Sequence, residues 1–207
     1  MKILASLVCV LLSTAAQAAT ISEGSPVGGV KIALNVADFT DRGRCGFGSS
    51  VVNDGCSVIA KSDPEAPHAY GRFDPLAPPS EWIDSQDLSD VTWTITHDVA
   101  FTSLSFALTD AFDQRPAPRL GLGESFFQLL ADGASWSIDS REANGTLHWL
   151  TVGFDQPTTT AELRFLTRLN DGWGVSSASV SEVPLPAAGW LLLMALGSVA
   201  AARRRVA

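Results

Sequence analysis

Basic residues are few in this chain and lie mostly away from the acidic ones. Lysine and arginine total 14 against 22 aspartates and glutamates. Lys2, Arg203, Arg204 and Arg205 sit at the two ends, whereas every acidic residue falls between Glu23 and Glu182, so the middle carries a net charge of about −12. A surface of that sign repels phosphate backbones and excludes nucleic acid as a partner. Cysteine is also scarce. Cys9 belongs to the N-terminal apolar run, which leaves Cys45 and Cys56. Two cysteines without matching histidines make a poor zinc site. In an oxidising compartment they are expected to form one disulfide around Gly46–Gly55, the alternative being two free thiols. Histidine appears only as His68, His97 and His148. No Gly-x-Ser-x-Gly elbow, P-loop, His-Glu-x-x-His or dinucleotide fingerprint is present, so no recognised catalytic constellation is written in the chain.

The two ends are processing signals rather than fold material. Lys2, the apolar run Ile3–Leu12 and the small-x-small site Ala16-Gln17-Ala18 make residues 1–18 a secretory signal peptide, cut by signal peptidase after Ala18 or Ala19. At the other end, residues 183–207 hold three parts in order. Val183-Pro184-Leu185-Pro186-Ala187 comes first, then the apolar stretch Ala188–Ala202, then Arg203-Arg204-Arg205. The prolines keep the motif extended and open to a protease. The arginines act as a stop on the cytoplasmic side of a transmembrane helix, which places the rest of the chain outside. This tail resembles the VPLPA-CTERM sorting signal, a variant of the PEP-CTERM class. The resemblance implies processing by an exosortase, an integral-membrane cysteine transpeptidase, and transfer to the cell envelope or extracellular matrix.

Residues 19–182 read as one all-β domain. Sustained helical periodicity is missing, and short runs of Val, Thr, Ile, Phe and Trp alternate with Gly, Asp, Asn and Pro clusters. Strands are expected at Val30–Val36, Val91–Thr96, Phe101–Leu108, Thr146–Phe154, Ala161–Leu169 and Val175–Val183. Phe126–Leu130 and Ser135–Ile138 form a hairpin across Asp132-Gly133, a pair that accepts positive φ. The proline-rich stretch Lys61–Glu81 and the segment Gln114–Pro118 are expected to be surface loops. Strands at this spacing point to a two-sheet antiparallel sandwich, jelly-roll-like in form.

Trp82–Leu88, Val91-Thr92-Trp93, Leu108–Gln114, Asn144–Trp149 and Asn170–Gly174 resemble a recurring domain of secreted proteins that carry the same tail. That resemblance implies a shared architecture and export, with no activity attached.

Three further features bear on function. Asp84, Asp87, Asp90, Asp110, Asp113 and Asp171 lie in expected loops, where hard oxygen ligands could hold calcium. The alternative is that they stabilise turns. Trp82, Trp93, Trp136, Trp149 and Trp173 either fill the core or, if exposed on a sheet face, stack on sugars. The several carboxylates leave a glycosidase-type acid pair open. The expectation is therefore a non-enzymatic surface or matrix protein that contacts exopolysaccharide or calcium. A secreted carbohydrate-active enzyme is the alternative, and a calcium-dependent adhesion module is a third option.

Overall fold

The computed structural model describes residues 18–41, 57–63, 71–76, 80–113, 126–167 and 172–183. Ten strands occur among them: β1 (Ala19–Glu23), β2 (Val30–Lys31), β3 (Phe39–Asp41), β4 (Ile59–Asp63), β5 (Ser80–Asp84), β6 (Asp90–Thr109), β7 (Phe127–Ala131), β8 (Ala134–Ile138), β9 (Leu147–Thr167) and β10 (Gly174–Glu182). All pairings are antiparallel, and all ten strands belong to one continuous sheet.

Two very long strands give the sheet its form. β6 has 20 residues and β9 has 21. Trp93 and Phe106 both belong to β6, and their ring centroids are 5.6 Å apart. An extended strand would separate them by roughly 40 Å. The strand must therefore fold back on itself, and it does so where its ladder to β9 shifts register, between Thr96 and Ser103. β9 turns at the same level, between its pairings at Gly153 and Thr160.

The sheet thus closes on itself in a sandwich-like way. One half runs β3, β6 (90–96), β9 (160–167), β7, β8. The other runs β1, β9 (147–154), β6 (101–109), β10, with β5 and β2 sharing the far edge of β10 and β4 beyond β5.

Alternation explains the core. Leu104, Phe106, Leu108, Leu150, Val152 and Val180 point inward from one half and are fully buried. They meet Trp93, Leu163, Phe165, Phe127 and Leu129 from the other. Phe106 packs edge-on to Phe165 at 6.1 Å, and Phe165 stacks on Trp173 at 4.4 Å. Such pairs add to the burial term that drives folding.

Several expectations need correction. The strands expected at Val91–Thr96 and Phe101–Leu108 are two arms of β6, and those at Thr146–Phe154 and Ala161–Leu169 are two arms of β9. The β6–β9 ladder is interrupted at each bend, with Phe101–Thr158 the one β6–β9 pair there and register shifts on both sides of it, while the backbone stays extended. Only Val30–Lys31 of the stretch Val30–Val36 is a strand, because Asn35 caps a 3-10 turn at Val36–Asp38 through its side chain to the Ala37 amide. The first strand is Ala19–Glu23. Lys61–Glu81 is not loop throughout, since β4 takes Lys61–Asp63 and β5 takes Ser80 and Glu81. No helix among the described residues is long and apolar enough to cross a membrane. The expected tail helix at 188–202, residues Pro184–Ala187, Arg203–Arg205, the Gln114–Pro118 loop and the Cys45–Cys56 pair lie outside the described residues.

Candidate functional site

The long arms of the sheet bring one end of β5, β6, β9 and β10 to a common pole. Asp84 ends β5, opposite Gly174 at the start of β10, which in turn lies opposite Thr109 at the end of β6. Asp110 follows at once, and Asp87 lies in the turn between β5 and β6. These three carboxylates, expected to face a metal, converge on the guanidinium of Arg72.

Arg72 Nη1 donates to Asp84 Oδ1 at 2.8 Å and Nη2 to Asp87 Oδ1 at 3.1 Å, while Nε stands 3.5 Å from Asp110 Oδ2. Lys61 Nζ closes on Asp84 Oδ2 at 2.5 Å. Asp84 is 1% exposed and Asp110 2%. A buried carboxylate needs a charge partner and hydrogen bonds, and here both are supplied by protein groups.

The backbone is shaped around this cluster. Gln86, Asp87 and Asp110 all have positive φ, near 53°, 61° and 59°. That region costs about 1 kcal/mol or more for a residue with a Cβ. Gly71, at φ +80°, brings Arg72 in so closely that a Cβ would strike Asn144, the Gly145 amide and Asp110. A Cβ on Gly172 would collide with the guanidinium itself.

The two buried aspartates are tuned apart. Burial works to raise Asp84, but Arg72, Lys61 and the Gln86 amide outweigh it and hold the carboxyl below the usual range. Burial pushes Asp110 up to about 7 against the pull of the Gly145 amide, with Asp113 adding to the rise and Arg72 opposing it.

The other acidic residues named from the sequence go elsewhere. Asp90 is held by both Nε and Nη2 of Arg164, at 2.8 and 2.6 Å. The carbonyl of Asp113 accepts from Arg141 Nε. Asp171 lies outside the described residues. Among the described residues, no group of three or more His, Cys, Asp or Glu side chains is placed to hold a metal ion. Arg72 escaped the sequence reading because it stands inside a proline-rich stretch with no periodic pattern to assign its direction. The one cue was a lone arginine close in sequence to an aspartate-rich turn.

Histidine and tryptophan placement is equally specific. His148 Nδ1 is 2.8 Å from Glu23 Oε1 and its Nε2 is 2.6 Å from Glu142 Oε2. With both ring nitrogens engaged by carboxylates, neither is open to a hydroxyl nucleophile. His97 Nε2 meets Glu182 Oε1 at 2.7 Å. Trp82, Trp93 and Trp173 are no more than 1% exposed and belong to packed interiors. Trp136 and Trp149 are half-buried.

Trp149 borders a distinctive surface. On the outer face of the β1–β9–β6–β10 half, successive registers place Ser22 beside Thr151, Ser105 and Ser179, and Thr20 beside Gly153, Ser103 and Ser181. None of these eight side chains carries charge, and seven carry a hydroxyl. Ser105 Oγ and Thr151 Oγ1 are bonded to each other at 2.8 Å, and Ser179 Oγ donates to the Val27 carbonyl at 3.3 Å. Strand spacing sets these side chains about 5 Å apart across the strands, with Thr20 and Ser22 exposed, Ser103, Thr151, Ser179 and Ser181 half-buried and Ser105 buried.

No family model matches the chain, and no curated protein is similar to it. Two solved structures are similar in part. One is a glycoside hydrolase family 43 arabinoxylan arabinofuranohydrolase from Bacillus subtilis in complex with cellotetraose, with 7% identity and TM-score 0.34 over 61% of this chain. The other is the enzymatically active domain of Bacteriophage CBA120 tailspike protein 4, with 12% identity and TM-score 0.35 over 72% of this chain. The chain spans 25% and 20% of those two proteins, and a likeness this slight extends neither one's properties to it.

Two outcomes follow from the Arg72 cluster. Arg72→Met leaves the buried Asp84 with Lys61 and the Gln86 amide but without its guanidinium partner and should cost about 3–5 kcal/mol in urea unfolding. Asp110 has a folded-state value above its unfolded one, so the stability it confers is full below about pH 4 and is lost as pH rises toward 7. Its share of the slope is at most about 1.4 kcal/mol per pH unit, and Asp110→Asn should remove that share in unfolding curves taken from pH 4 to 8.

Proposed function

We propose that this chain is an exported, non-enzymatic protein of the cell surface or extracellular matrix. Its leader is residues 1–18, and its tail, residues 183–207, is a VPLPA-type sorting signal processed by an exosortase. The observation that carries the reading is where the strands begin and stop. β1 starts at Ala19, directly after Ala16-Gln17-Ala18, and β10 ends at Glu182, directly before Val183-Pro184-Leu185-Pro186-Ala187. Cleavage after Ala18 and within Val183–Ala187 leaves every strand of the sheet whole, and cleavage after Ala19 shortens β1 by one residue.

The domain between them is a jelly-roll-type sandwich whose outer hydroxyl face meets an uncharged exopolysaccharide. In a domain with so many carboxylates, an uncharged field of hydroxyls beside a half-buried tryptophan suits a neutral sugar chain. The ring offers an apolar face and the hydroxyls offer paired donors and acceptors.

A second reading, a secreted carbohydrate-active enzyme, draws on the opposite tuning of Asp84 and Asp110, since an acid and a base with values pushed apart are what such chemistry uses. Against it stands access. Both carboxylates are almost fully buried, and Arg72 occupies the space where their charges meet.

Intact mass of the protein recovered from an exosortase-bearing host tests the processing. The expected product begins at Ala19 or Thr20 and ends within Val183–Ala187, and replacing Pro184 and Pro186 by alanine should leave the tail attached. A wild-type product that retains the sequence through Ala207 sinks the sorting reading. For the sugar face, Trp149→Ala should weaken retention on a neutral polysaccharide by roughly threefold to tenfold. Unchanged retention, or binding by acidic glycans alone, removes that face from the proposal.

A further inference from the structure

Both ends of the described domain leave the sheet at the same pole, opposite the Arg72 cluster. β1 starts there, with Ala19 paired to Phe154, and β10 finishes there, with Glu182 paired to Phe101. Only β9 and β6 stand between them, so the two exits are three ladder steps apart, about 14 Å. Both are fastened to the bends. The Val183 amide donates to the Ala100 carbonyl at 2.8 Å and Glu182 pairs with His97, and before the leader is removed the Asp155 amide also donates to the Ala18 carbonyl at 3.1 Å. Around these exits the exposed residues Gln156, Pro157, Thr159 and Thr160 are uncharged, with Asp98 and Asp155 the exposed acids.

The sequence then sets a short tether. Five residues, Val183–Ala187, separate β10 from the apolar stretch Ala188–Ala202. Fully extended they reach at most about 18 Å. On the leader side, six residues, Ser13–Ala18, separate the apolar run from β1. We infer that, while its tail is attached, the domain stands on the membrane with the 97–100 and 155–160 bends against the lipid headgroups and the Arg72 pole held outward. The inference rests on the sorting tail proposed above, with its apolar stretch 188–202 as a membrane helix.

The nine residues of β10 set the height between the poles at roughly 30 Å. A tether shorter than the domain is tall cannot let the domain invert, with the Arg72 pole on the membrane and the exits uppermost, while β10 stays in the sheet. In the upright stance the hydroxyl face, which runs along β10 between the poles, meets polymer from the side.

Energy transfer to acceptors on lipid headgroups tests this on the full chain, purified from membranes of a host without exosortase and returned to phosphatidylcholine vesicles. A clickable azidophenylalanine carries the donor dye at Thr159, near the bends, or at Ala143, near the Arg72 pole. Both positions are exposed. Transfer from position 159 should exceed that from 143 at least twofold, and ten Gly-Ser residues inserted after Ala187 should lower it. Equal or inverted transfer from protein that floats with the vesicles overturns the orientation. Protein that does not float with the vesicles overturns the membrane-helix reading instead. Near-ultraviolet circular dichroism matching the unlabelled chain establishes that both labelled proteins are folded.

Discussion

Trp93 and Phe106 are neighbours in space and belong to one strand, and the architecture depends on that contact. For the rings to touch, β6 must reverse, and β9 must reverse with it because the two are laddered along both arms. A sheet folded over in this way buries its aromatic faces against each other without a second, separate sheet. The benefit is collective. Phe106, Phe165, Trp173 and Phe127 form a connected set of ring contacts, so loss of any one leaves its neighbours with empty volume. The bends also fix the polarity of the molecule. All four strands of the β1–β9–β6–β10 half run between the same two poles, one holding the chain exits and the other the Arg72 cluster.

The Arg72 cluster follows from that polarity. Once the ends of β5, β6 and β10 meet at one pole, Asp84 and Asp110 are brought together and covered, and two adjacent buried negative charges cannot stand alone. A protein can answer such a pair with a metal or with its own cation. Here the segment 71–76 crosses the sheet and delivers an arginine, aided by glycines that leave no Cβ in its way. The Phe73 amide also donates to Thr109 Oγ1, and Ser176 Oγ donates to the Phe73 carbonyl, which tie this segment to the strands on either side of it. The planar guanidinium engages several carboxylates at once, a task for which lysine is less suited.

The surfaces divide by chemistry as well as by pole. The Arg72 pole holds a buried charge cluster, Glu23 and Glu142 hold His148 near it, and the exit pole carries Asp98, Asp155 and the His97–Glu182 pair. The outer face of the exit-bearing half is hydroxyl-rich and uncharged. An uncharged side face fits the proposed contact with an uncharged polymer.

Composition and alternation determined the fold class. The period-two patterns of Val91–Thr96 and Ala161–Thr167, and Asp132-Gly133 with its positive φ, mark strands and a hairpin that local geometry enforces, and β7 and β8 lie where those signals put them. The two proposed processing signals are likewise linear features, read from residue order alone. Other elements were hidden because their cause is not local. β3 and β4 are short, and the partners that make them strands, β6 and β5, lie distant in sequence. The bends in β6 and β9 resemble turns in sequence, and it is the tertiary packing, such as Trp93 against Phe106, that shows each strand folding back on itself. The aspartates were visible as a group, but their partner was not, since nothing in the linear order places Arg72 among them. Residue order therefore determined the all-β class and the β7–β8 hairpin. Tertiary structure decided which charges meet, because a buried ion pair is chosen by the packing that excludes water from it, and that packing exists only when the sheet has folded over.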